Sequence, residues 1–128
     1  MIIKNLDHIS IAVKDVEFSA KLYEILFGIK PGELIKVPDQ GIISKYLPLL
    51  NAGIEMIQPL DSNGGIQKFI DKKGEGLHHI AFKVDSVDSA IQELTAAKVD
   101  LIIGTAGDNK TVFIHPKSTC GVLIELCE

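Results

Sequence analysis

The sequence has 128 residues, 46% of them hydrophobic and 23% charged, and its formal net charge is −4 at pH 7. This length fits one compact domain with a substantial core. The acidic balance leaves no basic patch of the kind that binds nucleic acid, and no apolar run is long enough for a membrane helix. We therefore expect neither a nucleic-acid partner nor a membrane partner.

The start of the sequence and its cysteines indicate the compartment. Residues 1–7 lead directly into a strand pattern and contain neither the apolar region nor the cleavage site of a signal peptide. Cys120 and Cys127 are predicted to be reduced thiols, with no disulfide between them and no role as a nucleophile. A cytoplasmic protein is the expectation.

The first half of the chain predicts the element order β-α-β-β-β. It contains, in order, a strand over about 5–13, a helix over 16–27, a short strand between turn signals at 31–32 and 38–41, a strand over 42–47, and a strand over 54–57 after a hairpin turn at 51–53. Asp15 is placed to cap the helix and Gly28 to end it. The apolar stripe of this helix is Val16, Ala20, Tyr23 and Phe27.

The second half predicts the same order after a connecting segment over about 61–76 that includes a short helix at 65–73. It contains a strand over 77–84, a helix over about 87–97, a short strand over 101–103, a loop over 105–109, and strands over 111–115 and 121–127. Ser86 is placed to cap its helix. We expect a single α+β domain over 1–128, with module one at about 3–60 and module two at about 77–128.

The two halves repeat one another in sequence as well as in element order. A shift of 71 residues lays His8 on His79, and a shift of 70 lays Glu55 on Glu125. Each half therefore carries a histidine on its first strand and a glutamate on its last. Because side chains alternate along a strand, His79 faces away from the apolar set that includes Phe82.

These four residues indicate a divalent metal site. A single strand histidine is usually a satisfied core or surface residue, and Glu55 alone could simply solubilise an edge strand. Repetition of residue type, strand position and spacing favours metal ligation instead. Glu125 lies in a nearly apolar segment, where an ionised carboxylate costs on the order of several kcal/mol unless a cation or strong donor meets it.

The donor set also indicates the chemistry. Two nitrogens and two oxygens suit a five- or six-coordinate first-row ion with positions left for water or substrate oxygen, and Co²⁺, Mn²⁺, Ni²⁺ and Zn²⁺ are all compatible. Such an ion acts as a Lewis acid on a carbonyl oxygen and makes the adjacent C–H more acidic, while a carboxylate beside it serves as base.

The paired modules with the order His…Glu…His…Glu resemble the vicinal oxygen chelate superfamily, which includes glyoxalase I. The resemblance covers essentially the whole chain and is carried by residues 7–13, 54–60, 74–82 and 115–125. The connecting helix and the motif His115-Pro-Lys-Ser118 favour its methylmalonyl-CoA epimerase branch. The resemblance implies an α+β fold in which two tandem βαβββ modules form a glyoxalase-like, metal-binding barrel or cleft.

The resemblance also assigns the metal site. It implies that His8, His79 and Glu125 bind the ion and that Glu55 is the fourth ligand, directly or through water. It implies a racemase/epimerase that inverts C2 of methylmalonyl-CoA, an acyl-CoA substrate, through a metal-stabilised enolate. A homodimer is expected on the same ground.

Inversion needs two acid/base groups on opposite sides of the enolate, and Glu125 matches one of them. The opposite carboxylate of some members falls at Ser44, which cannot serve as that base. Glu55, or a water held near Gln40 or Ser44, are the candidates for the second proton carrier. Ser44 is also a candidate substrate contact.

The loop before the last strand offers further substrate contacts. Lys117 and Ser118 could bind the substrate carboxylate or the CoA phosphates, or they could simply form a turn whose entry Pro116 fixes. Cys120 stands where the family commonly has glycine, and a small residue is tolerated there unless φ is positive.

Three alternatives remain open at this point. Glyoxalase I, a lactoylglutathione lyase, shares all four ligands, so the metal site alone does not separate it from an epimerase. A metal-free drug-binding protein of the same fold typically lacks the ligand set. An extradiol dioxygenase usually has a larger chain with further catalytic His and Tyr, whereas this chain offers only Tyr23 and Tyr46.

Overall fold

The structure, a computed structural model, describes residues 1–106 and 108–128. Its contacts divide the chain into two compact units. Unit one consists of Met1–His8 together with His79–Glu128, and unit two consists of Ile9–His78. The first strand and the fifth strand each contribute residues to both units.

The described residues form eight strands and three α-helices. In chain order these are β1 (Ile3–Ala12), α1 (Val16–Phe27), β2 (Leu34–Val37), β3 (Ile42–Pro48), β4 (Gly53–Pro59), α2 (Gly65–Lys73), β5 (Gly76–Val84), α3 (Val87–Ala96), β6 (Leu101–Ala106), β7 (Asn109–Ile114) and β8 (Ile124–Cys127). The α+β class and the repeated β-α-β-β-β order are confirmed. The boundaries of module one, the connecting segment and module two remain our proposal.

Both module helices begin at a side-chain cap. The Asp15 carboxylate accepts a hydrogen bond from the N–H of Phe18, and the Ser86 hydroxyl accepts one from the N–H of Ser89. Each bond satisfies one of the backbone donors left open at a helix start. Gly28 ends α1 at φ 68°, a left-handed conformation that glycine adopts without steric cost.

Unit one has the strand order β1-β5-β8-β7-β6. β8 runs parallel to β5 and antiparallel to β7, and β7 pairs antiparallel with β6. One face of these strands packs on α3 through a buried cluster. Its members are Val84, Val87, Ala90, Val112, Ile114 and Leu126, with Phe82, Ile91 and Leu94 packed against it. The buried polar residues His79, Thr111 and Glu125 lie on the alternate positions of β5, β7 and β8.

The β6–β7 hairpin is longer than the sequence predicts. The predicted loop over 105–109 is wrong in part, because Thr105 pairs with Lys110 and Ala106 with Asn109 across the hairpin. Pairing across the hairpin overrides the turn preference of Asn109. Gly107 of the predicted loop lies outside the described residues.

The last strand is shorter than predicted and begins at Ile124 rather than at residue 121. Residues 116–118 form a 3₁₀ turn, and the N–H of Gly121 donates to the carbonyl of Pro116 instead of joining a strand. Cys120 and Gly121 both have positive φ, 58° and 92°. This backbone cannot be extended, so the strand starts only after the turn is complete.

Unit two has the strand order β2-β3-β4-β1, and the pairs β2–β3 and β3–β4 are antiparallel. Val16, Ala20 and Tyr23 of α1 pack, as predicted, in a core cluster of unit two that also contains Leu47 and Met56. Phe27 does not belong to that stripe, because it lies at the helix end and is 63% exposed. A second cluster receives Ile66, Phe69 and Ile70 of α2.

Two further predictions concern the chain as a whole. Cys120 and Cys127 are both free thiols, which agrees with the expectation from the sequence. Among the residues that the structure describes, no helix combines the length and the apolar character that crossing a membrane requires.

Candidate metal centre

The candidate site lies on three strands of unit one. His8 is on β1, His79 on β5 and Glu125 on β8. The parallel register places Glu125 beside Ala81, and His79 lies two residues before Ala81 on the same face of β5. Because Ala81 has only a methyl group, the longer Glu125 side chain can reach over it towards the imidazole.

The three side chains converge on one carboxylate oxygen. Glu125 Oε2 lies 3.0 Å from His79 Nε2 and 3.5 Å from His8 Nε2. One potential ligand atom from each residue lies within 4.8 Å of the others. The two imidazole rings meet edge to face, with centroids 5.6 Å apart. Among the described residues, these three form the group that could hold a metal ion.

All three side chains are buried, with exposures of 8% for His8, 7% for His79 and 6% for Glu125. Burial alone would raise the pKa of the Glu125 carboxyl. Hydrogen bonds with His79, His8 and Thr111 outweigh that effect and hold the pKa well below its usual range. The carboxylate is therefore ionised at neutral pH, in a place where an uncompensated charge would be costly.

Asp7 and Phe113 orient the two histidines. Asp7 Oδ2 lies 2.8 Å from His8 Nδ1. With an ion bound, a proton kept on Nδ1 and given to Asp7 would leave the Nε2 lone pair of His8 as the ligand atom. Phe113, which lies opposite Glu125 on β7, packs edge to face on His79 with centroids 5.3 Å apart. Asp7 thus holds the His8 ring at Nδ1, and Phe113 packs against the His79 ring.

The donor set fits a divalent first-row ion. His8 Nε2 and Glu125 Oε2 lie 3.5 Å apart and need a proton or a cation between them, because two lone pairs at this distance would repel one another. Two ligands each about 2.1 Å from an ion lie roughly 3.0–3.4 Å apart at octahedral or tetrahedral angles. The separations from Glu125 Oε2 are close to that range, and two imidazole nitrogens with one carboxylate oxygen suit Zn²⁺, Co²⁺, Ni²⁺ or Mn²⁺.

Two predicted site residues, Glu55 and Ser44, lie in unit two. Glu55 on β4 is partly buried, and one oxygen of its carboxylate accepts a hydrogen bond of 3.2 Å from Ser10, which is itself fully buried. Ser44 on β3 is buried and pairs with Ile35 and Ile57. Roles for Glu55 as fourth ligand and for Ser44 as substrate contact remain proposals.

The predicted substrate loop forms a well-defined turn in unit one. The Lys117 N–H donates to His115 Nδ1 at 3.1 Å, and the Ser118 N–H donates to the His115 carbonyl at 2.9 Å. The Lys117 ammonium pairs with the Asp100 carboxylate, and both side chains are more than half exposed. The turn interpretation of Lys117 and Ser118 is therefore confirmed, and a substrate contact remains a further proposal.

Asp7, Thr111 and Phe113 were not singled out from the sequence. The sequence position of Asp7 could have indicated its role, because it directly precedes the proposed ligand His8. Thr111 offered a weaker signal, since it is the polar first residue of the segment Thr-Val-Phe-Ile on β7. Phe113 resembled an ordinary core residue.

Comparison with known proteins identifies the family. The family model described as the glyoxalase/bleomycin resistance protein/dioxygenase superfamily matches residues 7–114. The chain belongs to this superfamily. This membership confirms the predicted resemblance and the glyoxalase-like fold.

Relatives within the superfamily narrow the comparison. The chain is 34% identical over 127 residues to the mitochondrial methylmalonyl-CoA epimerase of Homo sapiens, which covers 94% of this chain and 72% of the human protein. It is 33% identical over 131 residues to the ethylmalonyl-CoA/methylmalonyl-CoA epimerase of Cereibacter sphaeroides, with 97% of each chain covered.

A solved structure of a methylmalonyl-CoA epimerase is also similar to this chain. A variant of Streptomyces coelicolor methylmalonyl-CoA epimerase in complex with 2-nitronate-propionyl-CoA has a TM-score of 0.91 at 26% identity. The match covers 98% of this chain and 96% of the Streptomyces chain. The predicted resemblance to the epimerase branch of the superfamily is confirmed.

Proposed function

We propose that the protein is a metal-dependent epimerase that inverts C2 of methylmalonyl-CoA. The observation that carries the proposal is the buried group of His8, His79 and Glu125, found in a chain whose near full-length relatives are named methylmalonyl-CoA epimerases. Isolated buried charges are rare, whereas two imidazoles and a carboxylate facing one another are a common ligand set.

In this proposal His8, His79 and Glu125 hold the ion and Glu55 supplies a fourth ligand, directly or through water. Asp7 on His8 Nδ1 and Phe113 on His79 keep the imidazoles oriented for this task. When bound, a divalent ion would polarise the thioester carbonyl oxygen and so make the adjacent C–H more acidic.

Proton transfer then depends on groups of the chain itself. Glu125 is ionised at neutral pH and buried, so it can take the C2 proton from one side without competition from bulk water. Glu55 is our candidate for the group that returns a proton on the other side, because the Ser44 hydroxyl is far too weak an acid, and far too weak a base, for this exchange. A water held near Gln40 or Ser44 is the alternative carrier.

The proposed substrate is an acyl-CoA thioester, and the solved relative in complex with 2-nitronate-propionyl-CoA supports this class. Lys117 and Ser118 are proposed to contact the substrate carboxylate or the CoA phosphates. Their turn presents an ammonium and a hydroxyl on an exposed surface of unit one. Both groups are donors that suit anionic oxygen.

We also propose that the protein is a cytoplasmic homodimer. Four exposed apolar residues of α1 support self-association: Phe18, Leu22, Ile25 and Leu26. They recur at helical spacing opposite the buried stripe, and an apolar helix face of this kind usually covers a partner. Sedimentation velocity of the wild type and of Ile25→Glu tests the dimer, because the charge would break such an interface while leaving the site residues unchanged.

The decisive experiment incubates the Co²⁺-loaded protein with (2R)- or (2S)-methylmalonyl-CoA in D₂O. We expect deuterium at C2 together with inversion, and neither in a sample stripped of metal with a chelator. Absence of exchange together with turnover of a methylglyoxal–thiol adduct would assign the chain to glyoxalase I instead. Tight binding of a drug without any turnover would indicate the metal-free binding function.

A further inference from the structure

Thr111 lies beside the candidate metal centre and outside the proposed ligand set. It is the third residue of β7, is 1% exposed, and belongs to unit one together with Glu125. Its Oγ1 lies 2.7 Å from Glu125 Oε1 and 3.1 Å from the carbonyl oxygen of Leu126. A buried hydroxyl therefore has two acceptors within reach, one of them charged.

The hydroxyl has a single hydrogen, so only one of these acceptors can receive it fully. Bonds to an ionised acceptor are shorter and roughly twice as strong as bonds to a neutral one. The shorter distance and the negative charge both favour Glu125 over the Leu126 carbonyl. Thr111 is therefore a donor to Glu125 Oε1.

Because of this bond, the two oxygens of the Glu125 carboxylate have different partners. Oε1 accepts from Thr111, whereas Oε2 faces the Nε2 atoms of His79 and His8. With Oε1 engaged on the β7 side, the carboxylate plane is fixed and only Oε2 is directed at the histidines. A carboxylate held in this way would bind an ion through one oxygen.

We propose that Thr111 is a positioning residue that holds Glu125 as a one-oxygen ligand, with Oε2 towards the ion. The inference rests on the proposed metal-dependent function and deepens it. Valine has nearly the shape of threonine, yet at this position it would leave Oε1 without its donor and free the carboxylate to rotate. Partners of metal ligands of this kind typically change metal affinity by about 10–100-fold when removed.

The test measures Co²⁺ affinity by calorimetry and the visible Co²⁺ absorption spectrum, with no substrate present. Thr111→Val is expected to weaken Co²⁺ binding about tenfold or more and to change the spectrum as the second oxygen enters the coordination sphere. Thr111→Ser keeps the hydroxyl and is expected to retain the wild-type affinity and spectrum. Thr95→Val makes the same substitution at an exposed position of α3 and is expected to change neither.

The outcomes separate this inference from the function on which it rests. Equal Co²⁺ affinity and identical spectra for wild type and Thr111→Val, with or without a lower melting temperature, would overturn the role of Thr111 alone. Absence of Co²⁺ binding by the wild type would overturn the metal-dependent function as well. Thr111→Ala removes the hydroxyl without adding a methyl group and provides the same comparison if the valine variant does not fold.

Discussion

His79 Nε2 lies 3.0 Å from Glu125 Oε2, although 46 positions separate the two residues in the sequence. The parallel register of β5 and β8 creates this contact, because it sets Glu125 beside Ala81 on the face that His79 occupies. The contact is therefore a property of paired strands rather than of a mobile loop. Substitutions in it should change ligand binding more than they change the fold.

Glu125→Gln should remove most of the stabilisation that a divalent ion gives the protein. An ion that binds only the folded state adds about 2.7 kcal/mol at a concentration one hundred times its Kd. The amide keeps the shape of the carboxylate but has no anionic oxygen for the ion. Melting curves with and without Co²⁺ measure the difference, and deuterium exchange at C2 should be lost in the same variant.

His78→Ala is the matched control for this variant. His78 faces the opposite side of β5 from His79, and its ring packs on Phe69 with centroids 4.8 Å apart. The Co²⁺-dependent rise in melting temperature should persist in this variant. If His78→Ala and Glu125→Gln lost it equally, the wrong histidine of the pair would have been assigned to the site.

Asp7→Asn should weaken metal binding by about tenfold, because a neutral amide is a poorer acceptor for His8 Nδ1–H and makes Nε2 a weaker donor to the ion. Calorimetric titration with Zn²⁺ measures the change. Asp88→Asn, which removes an exposed carboxylate paired with Lys110, should leave the Zn²⁺ affinity unchanged. Similar losses in both variants would point to a general effect of charge rather than to His8.

Cys120→Gly should raise the free energy of unfolding by about 1 kcal/mol. Cys120 has φ 58°, where a side chain meets backbone atoms and glycine does not. Urea unfolding at pH 7 measures the gain. Cys120→Ala keeps the β-carbon and should show no comparable gain, so equal stabilisation by alanine and glycine would disprove the explanation from backbone strain.

The Cys127 thiol should resist alkylation at pH 8–9. Burial, together with the negative charges of Asp7 and Glu125, raises its pKa to about 12. Cys120 is exposed and should react first with iodoacetamide. Mass spectrometry of partly alkylated protein distinguishes the two sites, and rapid labelling of folded protein at Cys127 would contradict the expectation.

The raised pKa of Cys127 makes the free energy of unfolding depend on pH in a defined direction. The folded protein keeps the Cys127 proton up to about pH 12, whereas the unfolded thiol loses it above about pH 9. The contribution of the neutral Cys127 thiol to the free energy of unfolding is complete below pH 9 and is lost progressively as pH rises towards 12. Cys127→Ala should therefore show a smaller decline of unfolding free energy between pH 8 and pH 10 than the wild type.

Lys117→Met should raise KM for an acyl-CoA substrate severalfold with little change in kcat. The lysine pairs with Asp100 on the surface, and such exposed pairs contribute only about 0–1 kcal/mol, so a substrate anion can replace the partner at little cost. Lys110→Met, which breaks the exposed pair with Asp88, is the control and should leave KM unchanged. Equal KM values for wild type and Lys117→Met would remove Lys117 from the substrate contacts.

Local signals allowed much of the fold to be predicted from the sequence. The caps at Asp15 and Ser86 and the stop at Gly28 depend on neighbours a few residues away, and they were predicted correctly. The repeat of histidine and glutamate pointed to His8, His79 and Glu125, because strand parity and spacing survive in sequence.

Other features depend on partners that the sequence does not place. The β6–β7 hairpin extends to the pair of Ala106 with Asn109, although Asn109 usually favours a turn. The bond from Thr111 to Glu125 joins neighbouring strands and follows from register, which composition does not specify. The positive φ of Cys120 reflects how the preceding 3₁₀ turn delivers the chain into β8.

Unit one is built from two segments that are far apart in the sequence, Met1–His8 and His79–Glu128. During translation, His8 is therefore made well before Glu125. Under the proposed function, ion capture by all three groups would have to await the synthesis of β8. Ion loading would then distinguish chains that contain β8, since a polypeptide interrupted before it has the two imidazoles and lacks the Glu125 carboxylate.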